Sequence, residues 1–183
     1  MTAFPLTRSS SVLVTANVFQ NCLPGLRRNV GLSITLLNRF NQQPIRWYIS
    51  EIDYETLLLY WYYFGEFDSP CAAAYLGMLQ RVHPCVIDSR IQVEAQEHPM
   101  PSVSDSVRLA CAIDRQVDAL VTWEPHHFAK SHEHRVQLEE QGFFDYRLTP
   151  EMADIFGPEN FGSENDISAL QIFSVNAFAQ QLI

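Results

Sequence analysis

Short apolar runs alternate with segments of helical periodicity along most of this chain, and this alternation most constrains the fold. The strand-like runs are VLV, IRWYI, CVI, ALVTW and LQIFSV, which begin at residues 12, 45, 85, 119 and 170. Parallel strands need a crossover between them, and a helix is the usual crossover. The pattern therefore predicts a three-layer α/β/α fold with a central parallel sheet of about five strands.

The length and composition are typical of one domain. A chain of 183 residues is long enough to bury a sizeable core, so we expect a single domain over residues 1–183. Residues 130–168 are polar and weakly periodic, which predicts an insertion or excursion from the sheet. The histidine-rich run HHFAKSHEH, which begins at residue 126, has no accompanying cysteine. We therefore interpret it as a solvated, flexible segment and not as a zinc site.

The sequence favours a cytoplasmic protein without a membrane segment. No run approaches the length of about 18 apolar residues that marks a membrane helix. The run LLLYWYYF, at residues 57–64, is predicted to be a buried helix. The N-terminus lacks the basic start and apolar core of a secretory signal. Four scattered cysteines without a Cys-x-x-Cys spacing indicate reduced thiols.

The net charge of −9 argues against a broad basic surface for nucleic acid. Tight and nonspecific binding to DNA or RNA is therefore not expected. A metal-dependent nuclease is still compatible with this charge, because its acids gather around a cation that contacts the phosphate. Charge alone leaves the function open.

Polar residues follow the predicted strands at the sheet edge where α/β proteins place their working residues. In chain order, these candidates are Thr15, Asn17, Ser50, Glu55, Asp105, Thr122 and Glu124. Ser50 is a predicted helix N-cap, and Asp105 opens a predicted helix whose expected N-cap is Ser104. Because the carboxyl ends of parallel strands share one edge, we expect these side chains to converge there.

The order of these positions resembles the PIN-domain family of metal-dependent ribonucleases. The segments that carry the resemblance are LVTANVF, ISEIDYETLL, SDSVRLACAIDRQVDALVTWEPHHF and IFSVNAFAQQL. The family pattern has Asp-x-Asn after an apolar strand, then a Ser followed by a helix-borne Glu. An Asp that opens a helix comes later, and Thr-x-Asp or Thr-x-Asn ends a strand. The resemblance spans residues 11–128 and resumes near residue 170.

The resemblance implies an acidic pocket that binds Mg²⁺ or Mn²⁺ and hydrolysis of RNA by metal-activated water. It also implies a role for each matching residue. The acids that it assigns to catalysis and to the metal are Glu55, Asp105 and Glu124. Supporting positions fall to Thr15, Asn17, Ser50 and Thr122.

Two departures from the family pattern weaken the implied site. Thr15 stands where the family has its first aspartate, and a neutral hydroxyl is a poor ligand for a hard cation. Glu124 replaces an aspartate, so its carboxylate lies farther from the backbone. Asp53 and Glu51 are acidic, but neither occupies a matching position. We therefore expect weak metal binding, and hydrolysis that is weakened or lost.

These observations leave two main hypotheses and one weaker interpretation. The first is a Mg²⁺- or Mn²⁺-dependent endoribonuclease with weakened activity, and the alternative is a catalytically inactive PIN-like binding or scaffold protein. An unrelated doubly wound protein is disfavoured, because the chain has no Gly-rich phosphate loop and no Asp-x-Asp after the first strand. By family analogy alone, the resemblance extends to a toxin–antitoxin role, with an antitoxin-like partner, and to a homodimer.

Overall fold

The computed structural model describes residues 10–20, 45–64, 70–146 and 170–181, with a few single positions between 32 and 42. Within these residues, six strands form one sheet in the order β3-β2-β1-β4-β6-β5. The strands are β1 (Ser11–Val14), β2 (Arg46–Ser50), β3 (His83–Cys85), β4 (Ala119–Thr122), β5 (Phe143–Tyr146) and β6 (Leu170–Ser174). All neighbouring strands are parallel except β5, which is antiparallel to β6.

Helices cover both faces of this sheet. They are α1 (Ala16–Gln20), α2 (Glu51–Phe64), α3 (Pro70–Arg81), α4 (Ser89–Glu97), α5 (Val103–Asp114), α6 (His132–Gln141) and α7 (Val175–Gln181). Successive side chains of a strand point to opposite faces. Val12 and Val14 accordingly pack in a core with α1, α2, α3 and α7, whereas Leu13 packs with α4 and α5. The predicted α/β/α fold class is confirmed.

Strand β3 lies two residues earlier than predicted. It covers His83–Cys85 and contains Pro84, whereas the apolar run CVI placed it at residues 85–87. A proline lacks the backbone N–H that a central strand needs. This strand is at the edge of the sheet, where a proline is tolerated.

The first part of the predicted excursion belongs to the sheet. Residues 132–146 form α6 and the edge strand β5, whose Phe144 is fully buried opposite Ile172. Gly142 joins the two elements with a φ of 77°, and an added Cβ would lie 2.7 Å from the Cβ of Ala177. The remainder of the predicted excursion, residues 147–168, lies outside the described residues.

Helix α2 is less buried than its sequence predicts. Leu57 is fully buried, but Leu59, Tyr62 and Tyr63 are 56%, 81% and 72% exposed. The reason is geometric, because α2 belongs to an outer layer and only one side of it packs against the sheet. None of the described helices is both long enough and apolar enough to cross a membrane.

Candidate functional site

Helices α2 and α5 begin with the same local arrangement, a serine followed three residues later by an aspartate. The backbone N–H of Asp53 donates to Ser50 Oγ over 3.2 Å, and the Ser50 hydroxyl donates to Asp53 Oδ2 over 3.0 Å. The backbone N–H of Asp105 likewise donates to Ser102 Oγ over 3.1 Å. Ser102 is thus the N-cap of α5, and the prediction of Ser104 was wrong because Ser104 already lies inside the helix.

A single guanidinium connects the two aspartates. Arg108 donates from Nε and Nη2 to the two carboxylate oxygens of Asp53, over 2.8 and 2.7 Å. Its Nη1 donates to Asp105 Oδ1 over 2.7 Å. Nδ1 of His127 lies 3.0 Å from Asp105 Oδ2. These four side chains are called the Arg108 cluster below, and the aspartates in it are almost fully buried.

Electrostatic interactions within the Arg108 cluster favour the charged forms of Asp105 and Arg108. Burial acts to raise the pKa of Asp105, but the Ser102 hydroxyl and the Arg108 guanidinium outweigh burial and lower this pKa below its ordinary value. Burial acts to lower the pKa of Arg108, but the carboxylates of Asp53 and Asp105 raise it above its ordinary value. The helix N-termini add partial positive charge that favours both carboxylates.

A second cluster lies at the carboxyl ends of β1 and β4. Thr15 donates its hydroxyl to Asn17 Oδ1 over 2.5 Å. Asn17 Nδ2 lies 3.5 Å from Thr122 Oγ1 and donates to Glu124 Oε2 over 3.2 Å. The backbone N–H of Glu124 donates to the Thr122 hydroxyl over 3.2 Å. These four residues are called the β1–β4 cluster.

The predicted site residues therefore divide into three groups. Four of them form the β1–β4 cluster, as their positions at strand ends predict. Asp105 belongs to the Arg108 cluster, and Ser50 caps the helix that carries Asp53. Glu55 belongs to neither cluster, because its side chain is on the exposed side of α2. Two residues correspond to about 200° of helix rotation, so Asp53 and Glu55 point in opposite directions.

The described residues do not fit a resident Mg²⁺ or Mn²⁺ ion. Within the ranges given above, no group of three or more His, Cys, Asp or Glu side chains is arranged to hold a metal ion. Hard cations are held by oxygen ligands such as carboxylates. The carboxylate oxygens of Asp53 and Asp105 instead accept hydrogen bonds from the guanidinium of Arg108. The catalytic and metal-binding roles of Glu55, Asp105 and Glu124 stay predictions.

Asp53, Arg108 and His127 were not among the predicted site residues. The repeated Ser-x-x-Asp spacing and the three-residue offset between Asp105 and Arg108 are signals that could have drawn attention to the first two. His127 falls in the run that was predicted to be flexible, yet it lies in a 3-10 turn and contacts Asp105. No local pattern in the sequence indicates that contact.

Comparisons with known proteins do not assign the chain to a family. No family model matches it, and no curated protein matches it significantly. The likeness to the PIN-domain family therefore stays a prediction that depends on the four ordered segments. The α/β fold class agrees with this prediction but does not test it.

Proposed function

We propose that this protein is a PIN-like domain that no longer hydrolyses RNA with the help of a divalent ion. It acts instead as a binding or scaffold module. The observation that carries the proposal is the state of Thr15. This side chain is fully buried, and its hydroxyl donates to Asn17 Oδ1. The first acidic position of the resembled pattern is thus filled by a neutral hydrogen-bond donor.

The Thr15 hydroxyl affects two of the ligands that the resembled pattern would supply. It provides no anion of its own. It also donates a hydrogen bond to Asn17 Oδ1, the side-chain oxygen that would otherwise be free to coordinate a cation. The backbone N–H of Trp123 approaches the same oxygen at 3.5 Å. Since a hard cation needs oxygen ligands with free lone pairs, the neutral donor disfavours a bound ion at this edge.

A weakened Mg²⁺- or Mn²⁺-dependent endoribonuclease is the second candidate. It is favoured by the grouping of Asn17, Thr122 and Glu124, since the resembled pattern places an amide, a hydroxyl and an acid at these strand ends. RNA would be the substrate. An antitoxin-like partner and a homodimer are expectations of the resemblance alone.

An RNA cleavage assay separates the two candidates. Single-stranded RNA is incubated with the wild-type protein in Mg²⁺, in Mn²⁺ and in EDTA, beside the variants Asp105→Asn and Glu55→Gln. We expect no cleavage in either metal above the EDTA background for any of the three proteins. Identical purification of the variants controls for a contaminating nuclease.

One result would replace the proposal with the second candidate. It is cleavage that requires Mg²⁺ or Mn²⁺ and disappears in Asp105→Asn. If Glu55→Gln also abolished it, the exposed carboxylate of Glu55 would become a catalytic group despite its place outside both clusters.

A further inference from the structure

We propose that Arg108 is a built-in cation that holds Asp53 and Asp105 in place of a divalent ion. This inference rests on the proposed function and deepens it. It concerns how the negative charges of Asp53 and Asp105 are balanced without a metal ion, and it assigns this role to Arg108 of α5.

Every oxygen of the two carboxylates has a partner within the protein. Asp53 Oδ1 accepts from Arg108, and Asp53 Oδ2 accepts from both Arg108 and Ser50. Asp105 Oδ1 accepts from Arg108, while Asp105 Oδ2 accepts from Ser102 and lies 3.0 Å from the His127 ring. A metal ion would have to compete with at least one of these contacts for every oxygen ligand that it gained.

Charge favours the same assignment. Asp53 and Asp105 are 1% and 3% exposed, and a buried carboxylate needs a nearby positive charge. An arginine side chain keeps its charge at every accessible pH, and its planar fork matches a carboxylate with two hydrogen bonds. The guanidinium therefore supplies the positive charge permanently, and it repels a second cation at this position.

Arg108 and Thr15 act on different parts of the edge. Thr15 leaves the end of β1 without the anion that the family pattern has there, whereas Arg108 places a cation between α2 and α5. Restoring the acid at position 15 leaves the guanidinium in place. We therefore infer that strong Mn²⁺ binding requires both changes.

The experiment measures Mn²⁺ binding by electron paramagnetic resonance of the free ion, without RNA. Four proteins are compared: the wild type, Thr15→Asp, Arg108→Gln and the double variant. We expect no measurable binding by the first two, weak binding by Arg108→Gln, and affinity in the double variant at least about tenfold above Arg108→Gln. Arg90→Gln, which loses an ion pair between an exposed guanidinium and Asp114, is the matched control and should not bind.

Arg108→Lys separates charge from shape, and measurable Mn²⁺ binding by Thr15→Asp/Arg108→Lys would overturn the role of charge even where Arg108→Gln fails to fold. A lysine keeps the positive charge but cannot form the two-bond contact with Asp53. We expect the lysine variant, with or without Thr15→Asp, to bind no Mn²⁺.

Two further results would contradict the proposal. One is Mn²⁺ binding by Thr15→Asp as tight as that of the double variant, and the other is wild-type binding as tight as that of Arg108→Gln. Neither outcome depends on RNA cleavage. The cleavage assay on the wild type decides the proposed function separately.

Discussion

The Arg108 cluster and the β1–β4 cluster differ in how they are held together. In the Arg108 cluster, charged groups meet over 2.7 to 2.8 Å, and Asp53 is 1% exposed. In the β1–β4 cluster, the buried Thr15 hydroxyl donates to Asn17 Oδ1 over 2.5 Å, but this bond is between neutral groups. Asn17 reaches Thr122 and Glu124 over 3.5 and 3.2 Å, and Glu124 is exposed. Hydrogen bonds to buried charges contribute more free energy than neutral or solvent-exposed ones.

The cluster that resembles a catalytic site is therefore not the cluster that we expect to contribute more to stability. The cluster that most resembles a catalytic site contains no buried charge, so substitutions there should cost less stability than substitutions in the Arg108 cluster. The stronger cluster includes three residues from outside the predicted pattern, Arg108, Asp53 and His127. Since it joins the N-terminal ends of α2 and α5, it fixes the relative position of these helices.

The largest expected effect comes from removing the guanidinium. Arg108→Met leaves two buried carboxylates without their cation, and we expect the free energy of unfolding to fall by about 3–5 kcal/mol. Urea denaturation measures this loss. Arg90→Met is the control, because Arg90 is 70% exposed in its pair with Asp114, and we expect it to lose at most about 1 kcal/mol. Equal losses would show that the lower exposure of the Arg108 guanidinium, 19% against 70% for Arg90, makes no difference to stability.

The next effect compares two acids on α2. Asp53→Asn removes the charge that accepts two hydrogen bonds from Arg108, while Arg108 keeps Asp105. We expect a loss of about 2–3 kcal/mol in the free energy of unfolding. Glu55→Gln, two residues away on the exposed side, should change it by no more than about 0.5 kcal/mol. A larger loss for Glu55→Gln than for Asp53→Asn would contradict the placement of Asp53 against Arg108 and of Glu55 on the exposed side of α2.

A third prediction concerns acid stability. The folded state lowers the pKa of Asp105, so the unfolded state binds its proton more readily. The stabilisation by this carboxylate is therefore present above its unfolded pKa, about 3.9, and is lost as the pH falls through its lower folded value. We expect wild type to exceed Asp105→Asn in unfolding free energy at neutral pH, with a gap that closes in acid. A gap that widens in acid would contradict the sign.

The smallest effect belongs to the β1–β4 cluster. Thr15→Val keeps the volume of the side chain but removes the hydroxyl that donates to Asn17 Oδ1. We expect a loss of about 1 kcal/mol in the free energy of unfolding. Thr56→Val, which removes a hydroxyl bonded to Ile52 on the exposed part of α2, is the control and should cost about half as much. If Thr15→Val lost as much free energy of unfolding as Arg108→Met, the two clusters would contribute equally to stability and the proposed difference between them would be contradicted.

Much of the candidate site could be predicted because strand ends are encoded locally. Apolar runs fix where β1 and β4 stop, and the residues just beyond them must share an edge in a parallel sheet. Thr15, Asn17, Thr122 and Glu124 converge for this reason. Glu55 could not be placed in the same way, because its position depends on the rotation of α2 about its own axis.

The alternation of apolar and helical segments determined the α/β/α fold without reference to any distant contact. Periodicity is a property of neighbouring residues, so the sequence displays it directly. Only the tertiary structure decided that Asp53, and not Glu55, faces α5, and that a guanidinium lies between two carboxylates. Arg108 and Asp53 are separated by 55 positions in the chain, and their contact exists only because the fold brings the N-terminal parts of α2 and α5, which cover opposite faces of the sheet, together at its edge.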